Sequence, residues 1–245
     1  MNRNDIKRIE RAAARAIPAP ETVEVDGWTI SLGRGEVGRI NSAVTNGYRP
    51  RALLAHIEAV ERRFGVRHRA PRFRLTPLDQ TVDGLLNERG YQRSADVLVM
   101  TMALGEEHAH PPAGVTLRTA VTPRFVDRFR AWGGYSDVRV DEIIESLSGL
   151  TLPYVAATSE HALAVGVVDG SLLGLFDVVV DPEARGNGHG RDISSAVLGW
   201  GISRGAGMAY LQVHSENAAA ARLYRSLGFE EAYRYWYRSR ASIPH

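Results

Sequence analysis

Residues 185–190 read Arg-Gly-Asn-Gly-His-Gly, after the nearly unbroken apolar run 172–180 and before a helical pattern over 191–203. Few folds accommodate this order. A strand apolar on both faces belongs in the middle of a covered sheet. A glycine-rich strand-to-helix turn exposes backbone N–H groups at a helix N-terminus. Glycine permits positive φ and close approach of an anion to the main chain. Two readings stand: a cradle for a pyrophosphate, or a tight turn made of glycine for steric reasons alone. The spacing departs from the dinucleotide-binding fingerprint. No Gly-Lys-Ser/Thr follows, so a P-loop is excluded.

Composition narrows the setting. With 44% apolar residues among 245, the chain can fill a core, which excludes disorder. The absence of cysteine excludes a disulfide scaffold and a Cys-based zinc site. No apolar run reaches the roughly 18 residues of a membrane span, so no membrane partner is expected. The charged segment 1–17 lacks an apolar signal core, and the expectation is a cytoplasmic protein. The net charge of +2 does not call for nucleic acid. Lys7 is the only lysine, and six arginines crowd Arg62 to Arg74. That stretch reads as a solvated helix end and a strand with outward arginines. A patch for an anion is the rival, but no nucleic-acid motif accompanies it.

Periodicity predicts helices over 3–17, 51–64, 79–89, 123–131, 139–149, 191–203 and 217–226. Strands are expected over 23–32, 37–44, 71–76, 95–104, 115–119, 153–159, 162–168, 172–180, 209–214 and 230–238. Asp169-Gly170 is a hairpin signal. The pattern is α+β with a mixed sheet: an antiparallel meander, then a parallel β-α-β crossover. The acidic, His- and Pro-rich segment 105–114 is the best linker candidate. Its His108 and His110 read as solvated histidines, not metal ligands.

The cradle has a context. Val180-Asp-Pro182-Glu-Ala-Arg185-Gly186-Asn-Gly188-His-Gly190 is followed by Leu211-Gln-Val213-His-Ser-Glu-Asn217, then Ala220, Leu223, Tyr224, Leu227, Gly228 and Phe229. Together these blocks resemble the GNAT superfamily of acetyl-CoA-dependent N-acetyltransferases, over Val115 to Arg238. The resemblance implies a GNAT fold in the C-terminal half and acetyl-CoA as acetyl donor. It implies that Arg185, Gly186, Asn187, Gly188, His189 and Gly190 bind the pyrophosphate, and that Val178, Val179 and Val180 pair with pantetheine. The strands 172–180 and 209–214 would splay apart, and an N–H near Val178 would hold the oxyanion. Asn217 matches a helix cap that contacts the pantetheine arm; a plain N-cap is compatible with that role. Tyr224 matches the usual general acid, which protonates the leaving thiolate; an ordinary buried tyrosine is the alternative.

The base stays open. Some peptide N-terminal acetyltransferases of this family carry a Glu where Gln212 stands here. His214, Asp177 and an ordered water are the alternatives. The acceptor is expected to be an amine of a small molecule, in a pocket built by 123–149 and the first half; Trp132, Tyr135, Asp137 and Glu142 are candidates. The rival reading is a catalytically weak acyl-CoA-binding regulatory module. Oligomeric state is left open, a homodimer included.

A shift of 138 residues lays Leu85-Leu86-Asn-Glu-Arg-Gly90-Tyr91 on Leu223-Tyr224-Arg-Ser-Leu-Gly228-Phe229, and Asp79 on Asn217. The first half reads as a degenerate copy of the second. Leu86 replaces the tyrosine, and Thr45-Asn-Gly-Tyr-Arg-Pro50 has one glycine where the cradle has three. The expected organisation is a degenerate GNAT-like domain (1–104), a linker (105–114) and a catalytic domain (115–245). This resembles tandem GNAT proteins.

Overall fold

The computed structural model describes residues 1–25, 27–35, 37–94, 96–109 and 112–240. Helix α1 (Arg3–Ala16) opens on a reciprocal cap: the Asn2 side chain accepts from the N–H of Asn4 and Asp5, and Asp5 accepts from the Asn2 N–H. The first half continues with β1 (Thr22–Val25), β2 (Trp28–Leu32), β3 (Asn41–Val44), α2 (Leu53–Gly65), β4 (Arg72–Leu75), α3 (Gln80–Glu88), β5 (Gln92–Arg93) and β6 (Val97–Ala103). The second contains β7 (Thr116–Arg118), α4 (Pro123–Gly133), α5 (Asp137–Ser148), β8 (Tyr154–Thr158), β9 (Ala162–Asp169), β10 (Leu172–Val180), α6 (His189–Ser203), β11 (Met208–His214), α7 (Ala218–Ser226) and β12 (Glu230–Ser239).

Three local expectations are corrected. The run 23–32 is two strands, not one, because the chain reverses beside Gly27, whose φ of 83° suits glycine. The run 37–44 is a strand only over Asn41–Val44; Gly38–Ile40 form a 3-10 turn. The arginines of β4 are not all outward. Arg74 is 2% exposed and ion-paired with Glu10 of α1 at 2.9 Å. The run 62–74 therefore does not form one basic surface. His108 lies in a 3-10 turn, and His110 falls outside the described residues.

One twelve-stranded sheet runs through the molecule in the order β1-β2-β3-β4-β12-β6-β11-β10-β9-β8-β7, with β5 beside β12. Two pairs are parallel, β3 with β4 and β10 with β11. They stand on opposite sides of the central pair β12–β6. That central pair joins a strand of the first half to one of the second. β6 precedes the segment 105–114, yet pairs with the whole of β11, from Met208↔Ala103 to His214↔Val97. β12 pairs with β6 over Glu230–Tyr235 and with β4 over Trp236–Ser239. Side chains cover both faces. Leu175, Ile193, Val197, Leu211 and Phe229 pack under α6 and α7; Ile9, Phe125, Phe129 and Val165 pack under α1, α4 and α5. A third cluster around Trp28, Phe73 and Leu86 fills the first half.

Candidate active site

The site begins where two parallel strands part. β10 and β11 pair only from Leu172↔Met208 to Leu175↔Leu211. Beyond Leu175 the β10 register slips on its β9 side between Phe176 and Val179, and Asp177 takes a φ of 48°. This bulge turns β10 away from β11. Main-chain groups of 176–180 on the β11 side then have no strand partner among the described residues.

The V opens toward the glycine-rich turn. Gly186 and Gly188 have φ of 85° and 88°, and a Cβ on either would meet nothing within 4 Å. Conformation, not crowding, selects glycine there, and neither N–H donates to a described main-chain group. Gly190 differs: a Cβ would sit 3.0 Å from Leu223, so glycine lets α6 start against α7. Gly188 caps α6 without a side chain. Arg191 ties α6 to the end of α7 by donating to Ser226 O at 2.9 Å and Oγ at 2.8 Å. The groove holds about 530 Å³ and is lined by Val178–Val180, Arg185, Gly186, Gly188, His189, Gly190 and Leu223, with Trp132 on the opposite wall. These residues fit a coenzyme A: extended free backbone for the pantetheine amides and a nest of N–H groups for the pyrophosphate. Asn187 turns its amide to Ala184 O at 3.2 Å and bears on the loop rather than the groove wall.

A second cavity, about 320 Å³, adjoins the first. The two share Tyr135, Val178, Asn217, Ala220 and Tyr224. Asn217 caps α7 by accepting from the Ala220 N–H at 3.0 Å. Tyr224 is 8% exposed, stacks edge-on with Phe229, and makes no hydrogen bond to a described residue. Burial pushes its phenol well above the usual range, with Tyr135 and Asp177 adding to the effect, so the hydroxyl stays protonated.

The second cavity carries the polar groups. Gln212 accepts from the Tyr235 hydroxyl at 3.3 Å, while its Nε2 is buried without a partner. Asp177 faces Arg39 at 3.5 Å through Oδ1, and its Oδ2 is buried and unpartnered. His214 ends β11 at the cavity. Burial, then Arg139 and Arg39, hold its imidazole below the usual value, with Glu216 opposing. At neutral pH it is an uncharged acceptor. Both base candidates therefore lie in one cavity with Tyr224.

The first half completes this wall through Val37, Gly38, Arg39, Arg72 and Val97, and β12 adds Tyr235 and Tyr237. Glu142 of α5 fixes the loop that carries Arg39. It accepts from the N–H of Arg34 (2.5 Å), Gly35 (2.8 Å) and Val37 (2.7 Å) and from the Asn41 amide (3.0 Å). Glu142 is thus a loop anchor and not a cavity residue. Asp137 is likewise absent from the wall and pairs with Arg130 at 3.0 Å. Arg39, Arg72 and Arg139 join the site from outside its two motifs: Arg39 and Arg72 come from the first half, Arg72 within the arginine-rich run 62–74, and Arg139 lies on α5.

Thr45, just past β3, hydrogen-bonds Asp79, which also accepts from the Thr76 N–H at 2.8 Å. Thr45 and Asp79 are 0% and 4% exposed, and Leu86, which the 138-residue shift lays on Tyr224, is 0% exposed.

Sheet order, bulge, splay and glycine nest together define the GNAT superfamily of acetyl-CoA-dependent N-acetyltransferases. The chain belongs within it to the family described as probable histone acetyltransferase Rv0428c C-terminal, whose model matches residues 3–238. A probable histone acetyltransferase, Rv0428c, of Mycobacterium tuberculosis is 28% identical over 235 residues, 91% of this chain and 70% of that protein. A GCN5-related N-acetyltransferase from Kribbella flavida has the same fold (TM-score 0.71, 17% identity, 97% and 96% of the two chains). So does a tandem GNAT protein from the clavulanic acid biosynthesis pathway (TM-score 0.66, 15% identity, 97% and 88%).

Proposed function

We propose that the chain transfers an acetyl group from acetyl-CoA to an amine of a small molecule held in the 320 Å³ cavity. The observation that carries this reading is the junction of the two cavities at Val178, Asn217 and Tyr224. A groove suited to the coenzyme ends there, and a more polar cavity begins. Acetyl-CoA, when bound, supplies the thioester. Arg185 and the N–H groups at Gly186, Gly188 and Gly190 hold the pyrophosphate. The free backbone of Val178–Val180 extends the sheet along the pantetheine arm, and Asn217 contacts that arm. The Val178 N–H, fixed by the β10 bulge, is the oxyanion donor. Tyr224 gives its proton to the sulfur that leaves. His214 accepts the proton that the amine sheds, since it is uncharged and unpaired by any carboxylate within the cavity. Asp177, engaged by Arg39, is the second candidate for that proton.

The reading extends to two related units, 1–104 and 115–245, joined by 105–114. The shift of 138 residues supports it, since it lays α3 on α7 and β4 on β11. In this reading each unit lends its last strand to the other. The first unit builds the acceptor wall and binds no coenzyme.

Titration calorimetry tests the core of the proposal: acetyl-CoA is expected to bind, and no heat at millimolar coenzyme overturns it. Tyr224→Phe is expected to lower kcat by about 10²- to 10⁴-fold while leaving the acetyl-CoA Kd unchanged. Full turnover in that variant removes Tyr224 from the acid role.

A further inference from the structure

The acceptor cavity has a charge pattern of its own. Arg39, Arg72 and Arg139 all line it. Arg39 is spent on Asp177 and on the face of Phe176, 5.3 Å from its centroid. The other two have no carboxylate among the described residues. Arg72 lies over the Tyr237 ring at 5.8 Å, and Arg139 over the Tyr135 ring at 4.6 Å. The Nε of Arg139 is buried without a hydrogen-bond partner. Asp177 Oδ2 and Gln212 Nε2 are buried and unpartnered in the same walls. Buried polar atoms are ordinarily satisfied, so an unpartnered set around one cavity marks the outline of a polar ligand. The donors Arg72, Arg139 and Gln212 ask for an anion. The unpartnered Oδ2 of Asp177 is an acceptor and asks for an N–H.

We infer that the acceptor is a small amine that itself carries an anionic group, a carboxylate or a phosphate. Its charge is held by Arg72 and Arg139, and its amine lies toward Asp177 and His214. The inference rests on the acetyltransferase reading and gives that site its substrate class. Guanidinium groups recognise carboxylate and phosphate through paired N–H donors, and rings behind them keep the fork in place. The same charges oppose a lysine-rich peptide or a polyamine, whose ammonium groups would face two unneutralised arginines.

The test is thiol release from acetyl-CoA by the full chain with matched amines. Amino carboxylates (glycine, β-alanine, L-glutamate, L-phenylalanine) and O-phosphoethanolamine are compared with glycinamide, β-alaninamide, L-phenylalaninamide, ethanolamine, spermidine and a lysine-rich peptide. At least one anionic amine is expected to exceed its uncharged counterpart by about 10- to 100-fold in kcat/KM, the size of a charge-assisted contact to a desolvated group. Which anion wins separates carboxylate from phosphate. Arg72→Gln and Arg139→Gln, made separately in case one fails to fold, are each expected to raise KM for the anionic amine and to shrink that ratio. Their acetyl-CoA Kd by calorimetry should not move. Equal rates for charged and uncharged amines, preference for spermidine or the peptide, or no turnover of any anionic amine overturns the inference. If acetyl-CoA still binds and the uncharged amines are acetylated, only this inference fails. If acetyl-CoA does not bind, the acetyltransferase reading fails with it.

Discussion

In the proposed mechanism His214 takes the proton of the amine. Desolvation, then Arg139 and Arg39, hold its imidazole below the usual histidine value near 6.5. A base works in its uncharged form. With His214 as the base, activity is expected to be full above that lowered pKa and to fall as the pH drops through it. The expected kcat/KM profile has an acid limb that bends below about pH 6.5. His214→Gln should abolish that limb together with most of the rate. Arg139→Gln should move it toward higher pH, because a positive neighbour no longer opposes protonation. An unchanged limb in His214→Gln would hand the base role to Asp177 or to water. The sequence could nominate His214 and Asp177 together, since both flank apolar strands. It could not rank them: the ranking depends on Arg39, from the 3-10 turn before β3, and Arg139, from α5.

At the scale of elements, local signals were read well and long-range ones were not. The apolar run of β10, the glycine turn and the α7 pattern each depend on neighbours within a few residues, and all three occur where periodicity puts them. The hairpin at Gly27 was missed because its strands join across a turn too short to interrupt the alternation. Arg74 was misread for a different reason. Its alternation in β4 is correct, but the partner that makes burial tolerable, Glu10, lies on α1. The Tyr233 hydroxyl donates to the same carboxylate at 2.6 Å, and the Arg74 guanidinium stacks 4.0 Å from the Tyr235 ring centroid. This knot ties α1, β4 and β12 together. Removing one member leaves a buried charge without its counterpart. Arg74→Met is expected to destabilise the fold by about 3–5 kcal/mol in urea unfolding. Pairing it with Glu10→Leu should recover much of the loss, because no charge is then stranded. If the double variant is no more stable than the single one, the loss comes from packing and not from the stranded charge.

For the molecule as a whole, the central pair β12–β6 matters most. The segment 105–114 divides the sequence, but the sheet does not divide there. Contacts over such distances leave no trace in local periodicity, so the sequence offers the arginine run 62–74 but not the meeting of Arg72 with Arg39 and Arg139 at one cavity. A fragment of residues 115–245 would lack β6, leaving β11 and β12 with open edges toward each other. It is expected to aggregate in size-exclusion chromatography when made alone. Co-expression with residues 1–114 should restore a soluble complex that binds acetyl-CoA. A monomeric, well-folded 115–245 fragment would show that β6 is dispensable.

The position of β12 also sets a schedule. It follows every other strand in the sequence, yet it belongs between β4 and β6. On the ribosome, each earlier element can emerge and begin to pack while the centre of the sheet still has a gap. Tyr235 and Tyr237, which line the second cavity, arrive with that late strand. The nascent chain can thus gather its glycine turn and α6 early, but that cavity takes shape only when β12 is released and inserts. Until then two strand edges are exposed, so the rate of this insertion governs how much newly made chain is lost to association.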